Sequence, residues 1–569
     1  MFNIPINEQG WGLFVKLMKD FLGSKVGGTA KLLSFLLIAL LLAVNGLNIV
    51  NSYVGRDFMT AIADRDGGAY VRQAFLYIGV FAASTIVAVY LRYCEERLGL
   101  VWREYMTRRF VTLYMTYPTY YRMNDELIRT SGMEHPDQRI AEDVRSFTGT
   151  TLSFALMTLN GLFTILAFSG VLWSISPWLF GVALLYATVG SYLTVRLGLP
   201  LVDLNYAQLD KEAAFRSGLI HVRERAESVA LLHREGRLLP RLLGQFDAVV
   251  GNFGKIILVN RRLGFFTTGY NYLVQIIPIL LTAPLFIQGK AEFGVVTQSA
   301  MAFAMLIGAF SLVVTQFQSI SSYYAVIQRL INLWYAVELA QTETVSALDV
   351  REEDDSVVFE NLTLLSPIGG RVLVKELNLS IPHGTRVLVT GTDDTAKDAL
   401  FKATAGIYDI GSGLVKRPPL DQILFLPERP YLPPGTLRDA LIPVTCEREI
   451  SDEEIRDTLR SLGIEKVIGR AGGLDAEHDW DSLLSLHEQR FVSFARILLA
   501  KPRFAVLYYP VKDLDPASTE HLLSVLAENG ITCLTMGRLG KREGDDYIES
   551  YDAVLELLPD GSWNWQLVT

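Results

Sequence analysis

Residues 389–413 read VTGTDDTAKDALFKATAGIYDIGSG, and a short β-branched run directly before them leads into Gly391. A phosphate-binding loop has the form G-x-x-x-x-G-K-[ST], placed after a strand and opening a helix. Gly391 and Lys397 stand at the first glycine and the lysine of that pattern, whereas Ala396 and Asp398 replace its second glycine and its hydroxyl. The stretch therefore predicts the frame of an α/β P-loop-type domain whose phosphate loop is altered.

Two carboxylates, Asp393 and Asp394, lie inside this loop, where backbone N–H groups would otherwise face phosphate. A negative charge near the start of a helix is stabilised by the unpaired N–H groups there and by the helix dipole. We predict that Asp393 or Asp394 folds back to cap the helix in place of phosphate, with Lys397 close by. The alternative is a loop whose acids lie in solvent.

The apolar residues divide the chain in two. Long apolar runs occupy the first 330 of the 569 residues, and the remainder is charged and mixed, like a soluble α/β domain. The predicted parts are an amphipathic helix at 1–30, a membrane domain at 31–343, a linker at 344–356 and the α/β domain at 357–569. The net charge of −9 argues against nucleic acid as a partner. The three cysteines fit no metal-binding spacing, so we expect no metal site.

Six apolar stretches are long enough to cross a membrane, for which about 20 residues suffice. They lie at about 32–54, 70–93, 151–173, 177–198, 265–288 and 294–318. Counting Lys and Arg places the long polar stretches between them, and both termini, in the cytoplasm.

Two further patterns concern the first span. Phe14, Leu17 and Phe21 precede it at helical spacing, which predicts a helix lying in the membrane surface. Asn45 and Asn48 fall on one face of the span, where they line a cavity or join neighbouring helices.

The polar stretches carry two motifs: residues 134–143 read EHPDQRIAED, and residues 223–230 read RERAESVA. Their key residues, with a preceding Phe-Arg pair, are Glu134, Pro136, Asp137, Gln138, Arg139, Asp143, Phe215, Arg216, Arg223, Glu224 and Glu227. Both motifs resemble those of the adrenoleukodystrophy-protein-like ABC transporters and the BacA-type peptide transporters, although His135 and Arg225 replace asparagines. The resemblance implies a six-span ABC exporter-type membrane domain joined to an ABC nucleotide-binding domain. The charged side chains either face solvent or form salt bridges between the two stretches.

The resemblance also assigns the positions of an ATP site, of which Gly391, Lys397 and Ser485 are remnants. The departures from the family pattern are Asp394, Ala396 and Asp398 in the loop, Glu428 for the Q-loop glutamine, His487 for the signature glycine, Tyr508 and Tyr509 for the Walker B acids, and Arg538 for the switch histidine. Phosphoryl transfer needs a metal, a positioned water and donors preorganised on the phosphates. We therefore predict a pseudo-ATPase with no catalytic residue, which has lost the ATP and Mg²⁺ expected for the family.

The function indicated is transport of a large or amphipathic solute, such as a peptide, a cobalamin-like molecule or an acyl compound, across a bacterial inner membrane. An ion gradient would supply the energy. Candidate pathway residues are Asn45, Asn48, Tyr270, Asn271, Gln275 and Gln316. The alternatives are one degenerate half of a heterodimer with an ATPase-competent homologue, and a non-transporting regulatory protein. Expected partners are membrane lipids and a second chain, either a copy or that homologue.

Overall fold

The computed structural model describes residues 8–123, 136–312, 316–341, 347–353, 355–367, 369–443, 449–508, 516–537 and 550–568. The chain divides into two compact units, Met1–Ala340 and Gln341–Thr569. We call them the membrane unit and the α/β unit.

The membrane unit is built from helices, several of them very long. In chain order they are α1 (Glu8–Gly23), α2 (Gly27–Ala63), α3 (Gly67–Met115), α4 (Thr119–Arg122), α5 (Pro136–Ile175), α6 (Pro177–Glu224), α7 (Ala226–Leu232), α8 (Glu235–Ile287), α9 (Phe293–Phe310) and α10 (Phe317–Gln341). Six of the described helices, α2, α3, α5, α6, α8 and α9, are long and apolar enough to cross a membrane. The predicted six-span organisation is confirmed.

Three of these helices are far longer than a membrane requires. α3, α6 and α8 contain 49, 48 and 53 residues. At about 1.5 Å per residue each exceeds about 70 Å, more than twice the ~30 Å thickness of a hydrocarbon core. Their polar ends therefore project well beyond the bilayer, as the arginine-rich stretches predicted.

α1 is an amphipathic helix, as predicted, and part of its apolar face packs against protein. Leu17 and Phe21 are buried, and the Phe21 ring stacks on Trp102 of α3 with 5.6 Å between centroids. Asp20 lies 2.8 Å from Arg109 of the same helix. The apolar side of α1 thus contacts α3 and α10, and its position in the membrane surface stays a prediction.

The α/β unit contains twelve described strands and seven described helices. The strands are β1 (Ala347–Glu352), β2 (Ser356–Leu365), β3 (Val372–Pro382), β4 (Val387–Gly391), β5 (Gly411–Arg417), β6 (Ile423–Leu426), β7 (Gly435–Thr436), β8 (Glu477–His478), β9 (Phe504–Tyr508), β10 (Thr532–Met536), β11 (Ala553–Leu557) and β12 (Trp563–Leu567). The helices are α11 (Asp394–Ala405), α12 (Leu437–Leu441), α13 (Asp452–Ser461), α14 (Lys466–Arg470), α15 (Trp480–Leu483), α16 (Leu486–Ala500) and α17 (Pro516–Glu528).

The strands form two principal sheets. The larger has the order β12-β11-β4-β10-β9-β6, in which only β12 is antiparallel to its neighbour. The smaller has the order β1-β5-β2-β3. β1 lies in the segment predicted as a linker, where it pairs in parallel with β5 from Ala347 opposite Ser412 onward. An α/β domain following a helical membrane domain is the fold class predicted.

Buried aliphatic residues explain why this sheet forms where it does. β4 and β9 are continuous apolar runs buried on both faces, as is typical of parallel strands covered by helices. α11 and α16 supply much of the cover, with Leu400 and Val492 fully buried. These buried strands and helices hold the loop that follows β4 and the residues at the end of β9 in fixed positions.

Candidate functional site

The carboxyl ends of three parallel strands meet at one edge of the larger sheet. β4 and β9 lie on either side of β10, so Gly391, Tyr508 and the residue after β10, Gly537, are brought to the same edge. In open α/β sheets ligands bind outside this edge. The altered phosphate loop therefore lies where a nucleotide site belongs.

Gly391 is required by the neighbouring strand. It has a φ of +150°, and a Cβ at this position would lie 2.4 Å from the carbonyl oxygen of Leu557 in β11. Real Cβ atoms do not approach a backbone oxygen so closely, so no other residue fits without moving β11. This glycine is explained by packing alone.

Asp393 caps the helix that follows the loop. Its Oδ1 accepts a hydrogen bond of 2.9 Å from the Thr395 backbone N–H, and its Oδ2 lies 2.5 Å from the guanidinium of Arg371. Burial alone would raise the pKa of this carboxyl, but the bonds from Arg371 and Thr395 outweigh it and hold the pKa below its usual range. The prediction that Asp393 or Asp394 caps α11 is confirmed, and Asp393 is the capping residue.

Lys397 is fully buried and surrounded by oxygen atoms of the chain itself. Its Nζ lies 2.9 Å from Oδ1 of Asp394 and donates to the carbonyl oxygens of Gly391 at 2.9 Å and Gly537 at 3.1 Å. An ammonium has three N–H donors, and these three oxygens are enough to accept all of them. The lysine contacts the carboxylate next to the capping residue, which agrees with the prediction that it lies close by.

The remaining loop positions are also engaged within α11. Ala396 is buried, so its Cβ fills the place of the second glycine. Asp398, at the position of the usual hydroxyl, forms a 2.7 Å ion pair with Lys402 one turn later. Ala396 has no side-chain oxygen that could bind a metal, and one carboxylate oxygen of Asp398 already contacts Lys402.

Tyr508 closes the site from the end of β9. Its hydroxyl donates to the backbone oxygen of Asp394 at 3.3 Å, and its ring packs against Phe401 of α11 with 5.4 Å between centroids. Glu428 follows β6 and is half-buried. Tyr509 and Arg538 lie outside the described residues.

The signature segment begins α16 with a capping box. The Ser485 hydroxyl accepts from the Glu488 backbone N–H at 3.3 Å, and Oε2 of Glu488 accepts from the Ser485 backbone N–H at 3.0 Å. Glu488 also pairs with Arg470. Burial alone would raise the pKa of Glu488, but the bonds from Ser485 and Arg470 lower it. His487 is exposed, and its ring contacts Phe491 with 4.7 Å between centroids.

The first motif of the membrane unit lies at the start of α5, in a π-helical turn, Arg139–Asp143. Asp143 is buried and accepts two bonds from the guanidinium of Arg329 in α10, of 2.7 and 2.6 Å. Arg139 is buried too and donates to the backbone oxygen of Arg329 at 3.4 Å. Gln138 donates to Glu142 at 3.0 Å. Pro136 and Asp137 begin the helix, and Glu134 lies outside the described residues.

The second motif is exposed, so of the two alternatives for its charged side chains the solvent-facing one fits. Arg216, Arg223, Glu224 and Glu227 are exposed and form no ion pair with another described residue. Phe215 packs its ring against Phe246 of α8 with 5.4 Å between centroids. Asp143 instead pairs with α10, because that helix passes directly beside α5.

Asn45 joins helices rather than facing an open cavity. It is buried in α2, donates to Asn160 at 3.0 Å and accepts from the Thr164 hydroxyl at 3.0 Å, both on α5. Asn48 is half-buried on the same helix. Of the two alternatives for this face, the joining role fits Asn45.

The other predicted pathway residues are not brought together. Tyr270 of α8 stacks on Tyr186 of α6 with 4.3 Å between centroids, beside an aromatic cavity of about 370 Å³. Asn271 and Gln275 are exposed, and Gln316 is half-buried before α10. Tyr270 lines this cavity, and Asn271, Gln275 and Gln316 are not among its lining residues.

Two arginines important to these contacts were not predicted. Arg371 neutralises Asp393 from the start of β3, and Arg329 neutralises Asp143 from α10. Each is distant in sequence from its partner, by 22 and 186 residues. The only signal available was an arginine inside an otherwise apolar segment.

Comparisons with known proteins agree with this architecture. The family described as ABC transporter transmembrane region 2 matches residues 17–287. An uncharacterised ABC transporter ATP-binding protein of Synechocystis is 35% identical over 514 residues, which cover 89% of this chain and 78% of that protein. ABC transporter D family member 2, chloroplastic, of Arabidopsis thaliana is 33% identical over 595 residues, 93% of this chain and 84% of the relative.

A more distant relative extends over nearly the whole of both chains. The lysosomal cobalamin transporter of mouse is 23% identical over 587 residues, 97% of this chain and 95% of the relative. The family match, the two stronger relatives and the six apolar helices lead to one conclusion. The chain belongs to the D family of ABC transporters, as a multi-pass membrane transport protein whose membrane region precedes an ABC-type nucleotide-binding fold.

Proposed function

We propose that this chain is one half of a dimeric transporter that carries a large or amphipathic solute across a bacterial inner membrane without hydrolysing ATP itself. Both termini lie in the cytoplasm in this proposal, because the arginine-rich helix extensions project from the same side of the membrane. The α/β unit then acts as a structural element of the dimer.

One observation supports the loss of hydrolysis. The buried Lys397 forms an ion pair with Asp394 and donates hydrogen bonds to two backbone oxygens of its own chain. Phosphate would have to displace that carboxylate and approach the second acid, Asp393. Asp394 lies three residues from Lys397 on the same helix, so phosphate competes with a partner that is already in place.

The chemistry of phosphoryl transfer supports the same proposal. Removing one preorganised electrostatic contribution costs about 10²–10³ in rate. Here Tyr508 replaces a Walker B acid and contacts the backbone of the loop instead, while Asp398 is paired with Lys402. MgATP does not fit this set of side chains, so we derive no catalytic step.

The solute class follows from resemblance and from the membrane unit. The mouse and human relatives are named lysosomal cobalamin transporters, and the BacA-type motifs point to peptides. The aromatic cavity beside Tyr186 and Tyr270 favours a solute with an apolar surface. A cobalamin-like molecule, a peptide or an acyl compound satisfies that requirement.

The test is phosphate release by the purified full-length protein in lipid nanodiscs, measured beside two variants. The loop variant Asp394→Gly, Ala396→Gly, Asp398→Ser restores the phosphate pattern but leaves Tyr508 and Tyr509. The full variant adds Tyr508→Asp and Tyr509→Glu. We expect no release by the wild-type protein or by the loop variant.

The loop variant should also be no more stable than the wild type, because it loses the internal anion at Lys397. Turnover by the wild type that an ATPase inhibitor abolishes would contradict the proposal. Turnover by the loop variant would contradict the part that concerns the two tyrosines. The full variant reports whether anything beyond these five positions prevents hydrolysis.

A second candidate is a degenerate half that completes the ATP site of a competent homologue. The observation that favours it is the intact capping box at Ser485, which stabilises the start of α16, the helix that follows the signature serine. His487 opposes it, because its side chain occupies the position of the glycine that approaches phosphate. ATPase activity that appears only when the chain is co-purified with a homologue encoded nearby would select this candidate.

A further inference from the structure

An open groove runs along α2 and α3, beginning near the turn that joins them at residues 64–66. Its volume is about 560 Å³. Its lining includes Leu47, Arg72, Phe75, Leu76, Gly79 and Ala83. Phe75 and Leu76 are 74% and 50% exposed, so the groove presents an apolar surface on the outside of the membrane unit.

Arg72 is the one charged residue among the described residues that line this groove. It forms no ion pair with another described residue, and Asp57 of α2 pairs with Arg56 at 2.8 Å. The carboxylate of Asp66 accepts from the backbone N–H groups of Gly68 and Ala69 instead. A guanidinium beside apolar surface at a membrane boundary therefore has its positive charge available for an anion.

The length of the groove corresponds to one leaflet of a bilayer. Arg72 and Ala83 lie on the same helix, so the rise between them is about 16 Å, roughly half of the ~30 Å hydrocarbon core. Arg72 lies near the beginning of α3 and of the predicted span 70–93, which places it near the interface. Ala83 and Leu47 lie near the middle of the predicted spans 70–93 and 32–54. The groove is thus long enough for one acyl chain with its headgroup at the membrane surface.

Gly79 keeps the middle of the groove open. No atom lies within 4 Å of the position where a Cβ would be placed on this residue. A larger side chain there projects into the groove without striking backbone, which makes Gly79 a suitable position for blocking it.

We propose that this groove binds an anionic phospholipid of the leaflet at the 64–66 turn, with one acyl chain along α3 and the phosphate on Arg72. Guanidinium groups bind phosphate through two parallel N–H bonds, which fixes the headgroup as well as its charge. A choline lipid brings its own cation to the same place and is therefore held less strongly.

The test is native mass spectrometry of the full-length protein released from vesicles of equal phosphatidylglycerol and phosphatidylcholine. We expect the wild type to retain phosphatidylglycerol preferentially. Arg72→Gln should lower that retention about fivefold, the effect of one interfacial cation. Gly79→Leu should lower retention of both lipids, because it fills the groove and keeps the charge.

The matched control is Arg65→Gln, which removes the same charge from the turn at the same membrane surface, outside the groove. It should leave the retained phosphatidylglycerol almost unchanged. Equal losses from Arg65→Gln and Arg72→Gln would overturn the proposal, since they would indicate general attraction to the surface. Groove residues protected by a second copy of the chain, shown by crosslinking from Ala83→Cys, would also overturn it.

Discussion

Lys397 retains its position in the loop because Asp394 supplies the negative charge that phosphate would supply elsewhere. The two residues lie on the same helix, three positions apart, so their 2.9 Å contact forms without any loss of translational freedom. A nucleotide loses translational and rotational freedom when it binds, so it competes with Asp394 at a disadvantage. The Lys397 side chain is fully buried, whereas that of Asp394 is 42% exposed, so water reaches the carboxylate but not the ammonium.

At Asp393 the cap and the ion pair can be separated by two substitutions. Asn is as good an N-cap as Asp, so Asp393→Asn loses only the pairing with the half-exposed Arg371, about 0.5–1 kcal/mol. Asp393→Ala loses the cap as well, and should cost about 1 kcal/mol more. Chemical unfolding of the full-length variants in detergent measures both; equal costs for the two would show that the cap contributes nothing.

The Asp393 contribution should also depend on pH in one direction. The folded pKa is lower than the usual value, so the stabilisation is complete above about pH 4 and is lost as the pH falls through the folded pKa. The difference in unfolding free energy between the wild type and Asp393→Asn should be constant from about pH 8 to about pH 5. Below about pH 4 this difference should decrease towards zero. A difference that grows with acidity would be incompatible with a lowered pKa.

The role of Asp393 as an N-cap could be predicted from neighbouring residues, whereas its ion-pair partner could not. An N-cap depends on residues within one helical turn, which a sequence displays directly. Arg371 reaches the same carboxylate from the start of β3, and that contact exists only because β3 and β4 belong to one folded unit. The Asp143–Arg329 pair escaped prediction for the same reason, and the proposed partners on the second motif proved to be exposed.

Among the helices, α1 is held by side chains from two other elements. Phe21 stacks on Trp102 of α3, while Lys16 and Arg109 lie over the Trp334 ring of α10 at 5.2 and 5.1 Å. The latter two contacts are cation–π interactions. α1 therefore fixes the end of α3 to α10.

This role predicts unequal effects of two substitutions in α1. Phe21→Ala should lower the unfolding free energy by about 3 kcal/mol, because it removes a buried ring from a packed cluster. Lys19→Ala, on the exposed face, should change it by less than about 0.5 kcal/mol. Thermal unfolding in detergent compares them; similar values would mean that α1 lies on the surface without packing.

Periodicity located the helices well and the strands less completely. Spans of about 20 apolar residues are unmistakable, and each of the six predicted spans coincides with an observed helix. The first four lie inside their helices, the fifth extends one residue past Ile287, and the sixth, 294–318, extends past the end of α9 at Phe310. β1 was missed because it lies in a segment rich in acidic residues, and its order comes from pairing with β5 rather than from its own propensity. The direction of the apolar face of α1 was likewise undetermined, since lipid and protein select the same side chains.

For the whole molecule, the exposed amides of α8 predict a second chain. Asn271 and Gln275 lie exposed within a membrane-spanning helix, where an amide facing lipid is costly. We expect a dimer with twelve spans that covers these residues. Native mass spectrometry from nanodiscs should show two chains; a monomer, supported by the absence of crosslinks from Gln275→Cys, would count against it.

The central claim for the molecule is that its nucleotide position is filled by its own carboxylates. Calorimetric titration of MgATP into the full-length protein in lipid nanodiscs tests this most directly. We predict no saturable heat of binding, because Asp394 forms an ion pair with Lys397 and Asp393 caps the start of α11. A single binding isotherm with a micromolar dissociation constant would contradict the account.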